Sequence, residues 1–269
     1  LSFSLRKLLA LILVLGMILG VVGAWVRSAQ KQRAAVERLR KQAWVLYEHE
    51  VVLRPDGPHD WALIGAEDRA KSEWLPLPES WIQWLGPDYQ WNVAFVQFED
   101  PIGDFEIRSK PPAVLDLSSV GPVASSLKYL DVVGQPVSDL LPIVGCTELC
   151  ILRLSGGTVS DLTPLAGMKR LQNLDLSHTS ITSIDALAGL PELRNLDLSF
   201  TEVSDLIPLS GAINLFSLNL ASTKVTNLEP LYKLHELREV KLDNTPVSRQ
   251  QASALQVALS ECIITWSER

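Results

Sequence analysis

Residues 171–192 read LQNLDLSHTSITSIDALAGLPE, and residues 193–214 read LRNLDLSFTEVSDLIPLSGAIN. Laid over one another they keep apolar residues at the same places: Leu171 and Leu193, Leu174 and Leu196, Leu176 and Leu198, Ile181 and Val203, Ile184 and Leu206. The same 22-residue step runs outward in both directions without an insertion. Leu127, Leu149, Leu215 and Leu237 open further copies, so six repeats fill residues 127–248. Pro142, Pro164, Pro208 and Pro230 recur at one later position.

The leucines two apart, such as Leu174 and Leu176, share one face of an extended chain, and the residue between them points to the other face. The Ser/Thr-rich turn and the proline that follow allow neither a longer strand nor a long helix. Each repeat is therefore expected to be one coil of a right-handed solenoid: a short strand, a turn, and a 3₁₀ or irregular return. A single coil buries too little to offset its ordering entropy, so neighbouring coils must share a continuous core.

These copies resemble leucine-rich repeats of the short, bacterial, internalin-like type. The resemblance implies an α/β solenoid with parallel strands on its concave face. One departure stands out. The buried Asn of that repeat is replaced by Thr179, Thr201, Thr223 and Thr245, with Gln135 and Gly157 in earlier copies. A hydroxyl has fewer hydrogen-bonding groups than an amide, so a weaker ladder between coils is expected.

Ahead of the repeats, charge and hydropathy divide sharply. Residues 1–41 hold eight of the 24 Lys/Arg and one of the 31 Asp/Glu, a net of +7 against −14 for the rest. An acidic body argues against nucleic acid as a partner. Residues 8–26 carry no charge, and at 1.5 Å per residue they reach roughly 28 Å, close to the hydrocarbon thickness of a bilayer. A single-pass signal-anchor over 8–26, within an N-terminal tail and span of 1–26, is the first expectation. A cleaved signal peptide is the alternative, because Val22-Gly23-Ala24 resembles a cleavage site. Basic residues on both flanks leave the orientation open, with the solenoid placed on the exported side of the cytoplasmic membrane. Gly16 and Gly20 have the spacing of a helix–helix contact, which would support a weak homodimer within the bilayer. Residues 27–43 read as a basic juxtamembrane helix projecting into water. The pieces Phe3 to Leu9, Gln32 to Val36 and Leu85 to Tyr89 resemble a bacterial family of single-pass membrane leucine-rich repeat proteins. That resemblance implies no activity.

Residues 44–126 hold six of the eight tryptophans. They read as an N-terminal cap with degenerate repeats at Val93-x-x-Val96-x-Phe98 and at Leu115-x-Leu117, and with a short helix from Pro78 to Leu85. An aromatic carbohydrate or peptide site is the competing reading of this segment. Residues 249–269 read as a capping helix and a last strand. Cys146, Cys150 and Cys262 lack metal-finger spacing, and His49, His59, His178 and His235 form no ligand pair. No nucleophile elbow or phosphate loop occurs. Neither an enzyme, a metal nor a cofactor is expected.

The residues between the strand leucines are expected to form an outward stripe on the concave face, free of structural duty: Asp131, Arg153, Asp175, Asp197, Asn219 and Lys241, with His178 and Phe200 at the strand exits. The function expected is a non-enzymatic, membrane-anchored module that binds a protein or peptide ligand with this face. A structural spacer of the cell envelope is the alternative. Mass measurement on the mature protein extracted from membranes is expected to find residues 8–26 attached; a mature N-terminus at Trp25 would show instead that the segment is removed.

Overall fold

The structure, a computed structural model, describes residues 117–267 continuously, the backbone of four earlier strands, and helical positions between residues 20 and 39. Those four strands are β1 (Trp44–Tyr47), β2 (Val51–Leu53), β3 (Trp61–Leu63) and β4 (Val93–Gln97). The repeats then supply β5 (Tyr129–Asp131), β6 (Ile151–Arg153), β7 (Asn173–Asp175), β8 (Asn195–Asp197), β9 (Ser217–Asn219) and β10 (Glu239–Lys241), and β11 (Ile263–Thr265) follows. One sheet runs in the order β1-β4-β5-β6-β7-β8-β9-β10-β11. All its neighbours are parallel except β1 against β4. The Val93 segment thus supplies a strand to the sheet, whereas residues 117–119 form a 3₁₀ turn.

Register explains the regularity. The middle residues Leu130, Leu152, Leu174, Leu196, Leu218 and Val240 pair side by side and are all buried, so each coil presents the same knob to the next. Behind them the second apolar set, from Val137 to Val247, closes the core together with Cys146, Met168, Leu190 and Leu234. Burial pushes the Cys146 thiol up to about 12, which makes it a packing residue and a poor nucleophile.

The returns are 3₁₀ turns at Leu141–Ile143, Thr163–Leu165, Asp185–Leu187, Ile207–Gly211 and Glu229–Leu231. Proline sits in the first turn of four of them, where its missing N–H leaves no bond unmade. A polar side chain starts each one. Asp139, Asp161 and Asp205 accept the amide two residues on at 2.8 Å, Asn227 does so at 3.0 Å, and Ser183 at 3.1 Å.

Two sequence expectations are corrected by this geometry. Thr179, Thr201, Thr223 and Thr245 are buried, but their hydroxyls donate to Leu176, Leu198, Leu220 and Leu242 in their own coils, at 2.5–2.7 Å. They close turns and do not link coils. Nor does the basic helix stand wholly in water: Ala35, Val36 and Leu39 are buried, and Val36 and Leu39 join the same core cluster as Leu117 and Val120. Their one- and four-residue spacing puts them on a single helix face, with Arg38 and Glu37 exposed.

At the far end the helix Arg249–Ala258 is capped by Ser248, whose hydroxyl accepts from the Gln251 amide. β11 then covers the edge of β10, and the Trp266 indole N–H donates to the Val247 carbonyl at 3.1 Å. Most of the expected span 8–26, Gly16, the helix from Pro78 to Leu85 and the side chains of the tryptophan-rich segment lie outside the described residues; Gly20 is helical and exposed. Among the described residues no helix is long and apolar enough to cross a membrane.

One position per coil, just past the strand, takes positive φ: Gly134, Gly156, His178, Phe200, Ser222 and Asn244. An added Cβ at Gly156 would meet only ordinary contacts, at 3.6 and 3.7 Å from Gly134, so Gly156→Ala tests the backbone alone. It should lower unfolding free energy by about 1–2 kcal/mol. Gly167→Ala, in open space and without positive φ, should stay within about 0.5 kcal/mol. Leu196→Ala in the middle of the core should cost about 2–5 kcal/mol. Denaturant titration of the three variants checks this ranking.

Candidate functional site

Each strand from β5 to β10 has three residues, and the middle one packs into the core; only in β5 are the outer two buried as well. The other two share the concave face. The third residues form the expected column: Asp131, Arg153, Asp175, Asp197, Asn219 and Lys241, paired in register. The first residues form a second column that the sequence reading missed: Tyr129, Ile151, Asn173, Asn195, Ser217 and Glu239. The period-2 rule applied two residues upstream of each Asp would have found it. Apart from Asp131, the two columns line a groove of about 430 Å³, and Phe216 is part of the same lining. Phe216 is 50% exposed although large and apolar.

The expectation of an outward, idle stripe fails first at Asp131, which is 3% exposed. It accepts the Tyr129 hydroxyl at 2.9 Å, the Val133 amide at 3.0 Å and the Arg153 guanidinium at 3.0 Å. A buried carboxylate is tolerable only when so satisfied. Burial, aided by the Asp131 charge, pushes the Tyr129 phenol up to about 12, so it stays a donor. Partial desolvation works against the Arg153 charge, but Tyr129, Asp131 and Asp175 outweigh it. Asp131 is a fixing point for Arg153, not a ligand contact.

The next carboxylates divide their oxygens. Asp175 Oδ1 accepts the Ser177 amide at 3.0 Å and its hydroxyl at 2.7 Å. Asp197 Oδ1 accepts the same pair from Ser199 at 2.8 and 2.6 Å. These are Asx-type turns that end the strands. Asn219 does the same for the Ala221 amide at 3.1 Å, and its own amide donates to Asp197 Oδ2 at 2.9 Å. Asp175 and Asp197 are register partners, about 4.8 Å apart along the sheet, and neither has a salt bridge among the described residues. Lys241, at the other end, pairs with Glu239 at 3.2 Å.

In the first column Asn195 Nδ2 donates to Asn173 Oδ1 at 2.6 Å across neighbouring strands. His178 and Phe200 do not line this groove. They occupy the positive-φ turns at the strand exits and stack on one another, ring centroids 4.2 Å apart and 10° from parallel. Stacking stabilises such a pair by about 0.5–1.5 kcal/mol, an offset against the left-handed backbone. Among the described residues no group of His, Cys, Asp or Glu is arranged to hold a metal ion.

Residues 169–211 match the family model for Leucine Rich repeats, in two copies. No curated protein sequence matches the chain. Among solved structures, internalin C2 of Listeria monocytogenes superposes with TM-score 0.55 and 24% identity, over 65% of this chain and 74% of its own. Internalin F of the same bacterium gives TM-score 0.48 and 23% identity, over 58% of this chain and 54% of its own. A leucine-rich repeat protein of Leptospira interrogans gives 0.46 and 20%, over 55% and 45%. The first of these likenesses establishes the fold: residues 127–248 are a leucine-rich repeat solenoid of the kind found in internalin C2.

Tyr129 supplies a pH test of the buried cluster. Its ordinary value is 10.0 and the folded value about 12, so its contribution is complete below pH 10 and is lost as pH rises towards 12. Tyr129→Phe should destabilise the protein at neutral pH, since a donor to a buried carboxylate is gone. The gap between wild type and variant should narrow from about pH 10 to pH 12, as read by denaturant midpoints across that range.

Proposed function

We propose that this chain is a non-enzymatic recognition module that binds another protein through its concave face, held at a membrane by residues 8–26 with the solenoid exported. The observation that carries the reading is the groove itself. Two columns of side chains offer carboxylates and amides to one shared concavity, and Phe216, just ahead of β9, adds a half-exposed phenylalanine. An exposed aromatic beside polar groups suits a protein-binding patch, where aromatic residues are enriched. Leucine-rich repeats of the internalin kind are interaction scaffolds, and the fold supports that assignment. The uncharged run 8–26 with its basic flank supports the tether.

The convex side makes a suitable control, because Ile207 is 65% exposed there and outside the groove. Full-length protein immobilised from detergent should retain a specific protein from an extract of its own cells. Asp175→Asn with Asp197→Asn should reduce that retention at least tenfold while Ile207→Ser leaves it unchanged. Asn keeps the Oδ1 acceptor that ends each strand, as Asn219 already does, so the double variant should fold. Equal retention by both variants would move the site off the concave face. No retained protein would favour the spacer reading.

A further inference from the structure

Within the concave groove, resting on the reading above, the amide pair at the start of β7 and β8 carries the most specific chemistry. Each Asn side chain has two N–H donors and one oxygen with two lone pairs. The 2.6 Å bond between them uses one donor of Asn195 and one lone pair of Asn173. Among the described residues, nothing else is bonded to the Asn173 amide nitrogen or to Asn195 Oδ1. Both residues are half-buried and line the groove. The pair therefore displays one donor and one acceptor side by side, on strands about 4.8 Å apart. Turning both amides over exchanges the two roles and leaves the display the same.

A peptide backbone carries the matching pair, an acceptor carbonyl and a donor N–H. Charge narrows the ligand further. Arg153 is engaged by Asp131 and Lys241 by Glu239, so both cations of the outer column are already paired. Asp175 and Asp197, two residues along the strands from the amide pair, have no salt bridge among the described residues, and Arg153 beside Asp175 is held by Asp131. Two carboxylates so close repel one another, and a cation between them relieves that repulsion. We infer that the groove binds an extended peptide segment whose backbone bonds to Asn173 and Asn195 while a lysine or arginine reaches Asp175 and Asp197, with an apolar residue of the segment against Phe216. A neutral glycan could use the amides but brings no charge to the carboxylates, and a phosphate-bearing chain is repelled by them.

The test is selection of a phage-displayed library of random linear peptides on the full-length chain, followed by affinity measurement on synthetic peptides. Recovered peptides should share a basic residue. Replacing it by citrulline or norleucine should weaken binding at least tenfold, as should Asp175→Asn with Asp197→Asn in the protein. Methylating the backbone nitrogen next to the basic residue should also weaken binding at least tenfold to the wild type. It should have little effect on Asn173→Ser with Asn195→Ser, which removes the amides but keeps a side chain that Ser217 shows to fit this column. Thermal melts confirm that both double variants fold. Peptides that need the groove but lack a basic residue, or that ignore methylation, overturn this inference while leaving the concave-face reading standing. Peptides indifferent to all four substitutions overturn both. Recovery of no peptide, or binding of neutral glycans on a printed array in its place, also overturns the inference.

Discussion

The structure depends on lateral repetition: a buried leucine at the middle of each strand, set beside its counterpart in the next coil. That column excludes water from one side of the sheet, and the parallel backbone bonds fix the offset between coils. Once the offset is fixed, every other position repeats as well. The turn threonine always meets the carbonyl three residues back, the polar residue before each 3₁₀ turn always meets the amide two residues on, and the positive-φ position always falls just after the strand. An insertion in one coil would break all of these at once. This explains physically why six copies hold one period without a gap.

The same constraint governs what could be read from the sequence. The leucine columns and the proline-marked returns were legible because periodicity reports burial directly. The third-residue column was legible for the same reason. What stayed hidden needed knowledge of partners. Asp131 looks like its neighbours in sequence, yet Tyr129 and Arg153 draw it into a buried cluster. The apolar stripe of Ala34, Ala35, Val36 and Leu39 is visible among the charges of the basic helix, but nothing in it shows that Val36 and Leu39 join the core of Leu117 and Val120. Phe200 was expected to belong with the concave stripe; the groove instead takes Phe216, the residue just ahead of β9, and Phe200 stacks with His178 at the strand exits. Nothing in residue 216 taken alone announces this, because the corresponding position is Gln172 or Arg194 in neighbouring coils.

The two concave columns differ in how far the fold restricts them. In the third column Asp131, Asp175, Asp197 and Asn219 each spend one oxygen on the amide two residues later, where the strand ends. A short side chain with a carbonyl-type oxygen suits that bond, whereas Arg153 and Lys241 hold the same column position without it. The second oxygen of Asp131 is taken by Tyr129 and Arg153 and that of Asp197 by the Asn219 amide, so Asp175 Oδ2 is the most open of these acceptors. Charge varies along the column, from Arg153 through Asp175 and Asp197 to Asn219 and Lys241.

Beyond Tyr129, which bonds to the buried Asp131, the first column carries no such duty. Asn173, Asn195 and Ser217 bond to neighbours across the strands but to no backbone group that ends a turn. It is correspondingly the more varied of the two, running from tyrosine through isoleucine, asparagine and serine to glutamate. A groove built this way has one wall in which four of six positions also end a strand, and one that beyond the Tyr129 bond to Asp131 has no such role. Discrimination between ligands of similar charge therefore rests on the first column, and the amide pair is its most specific element.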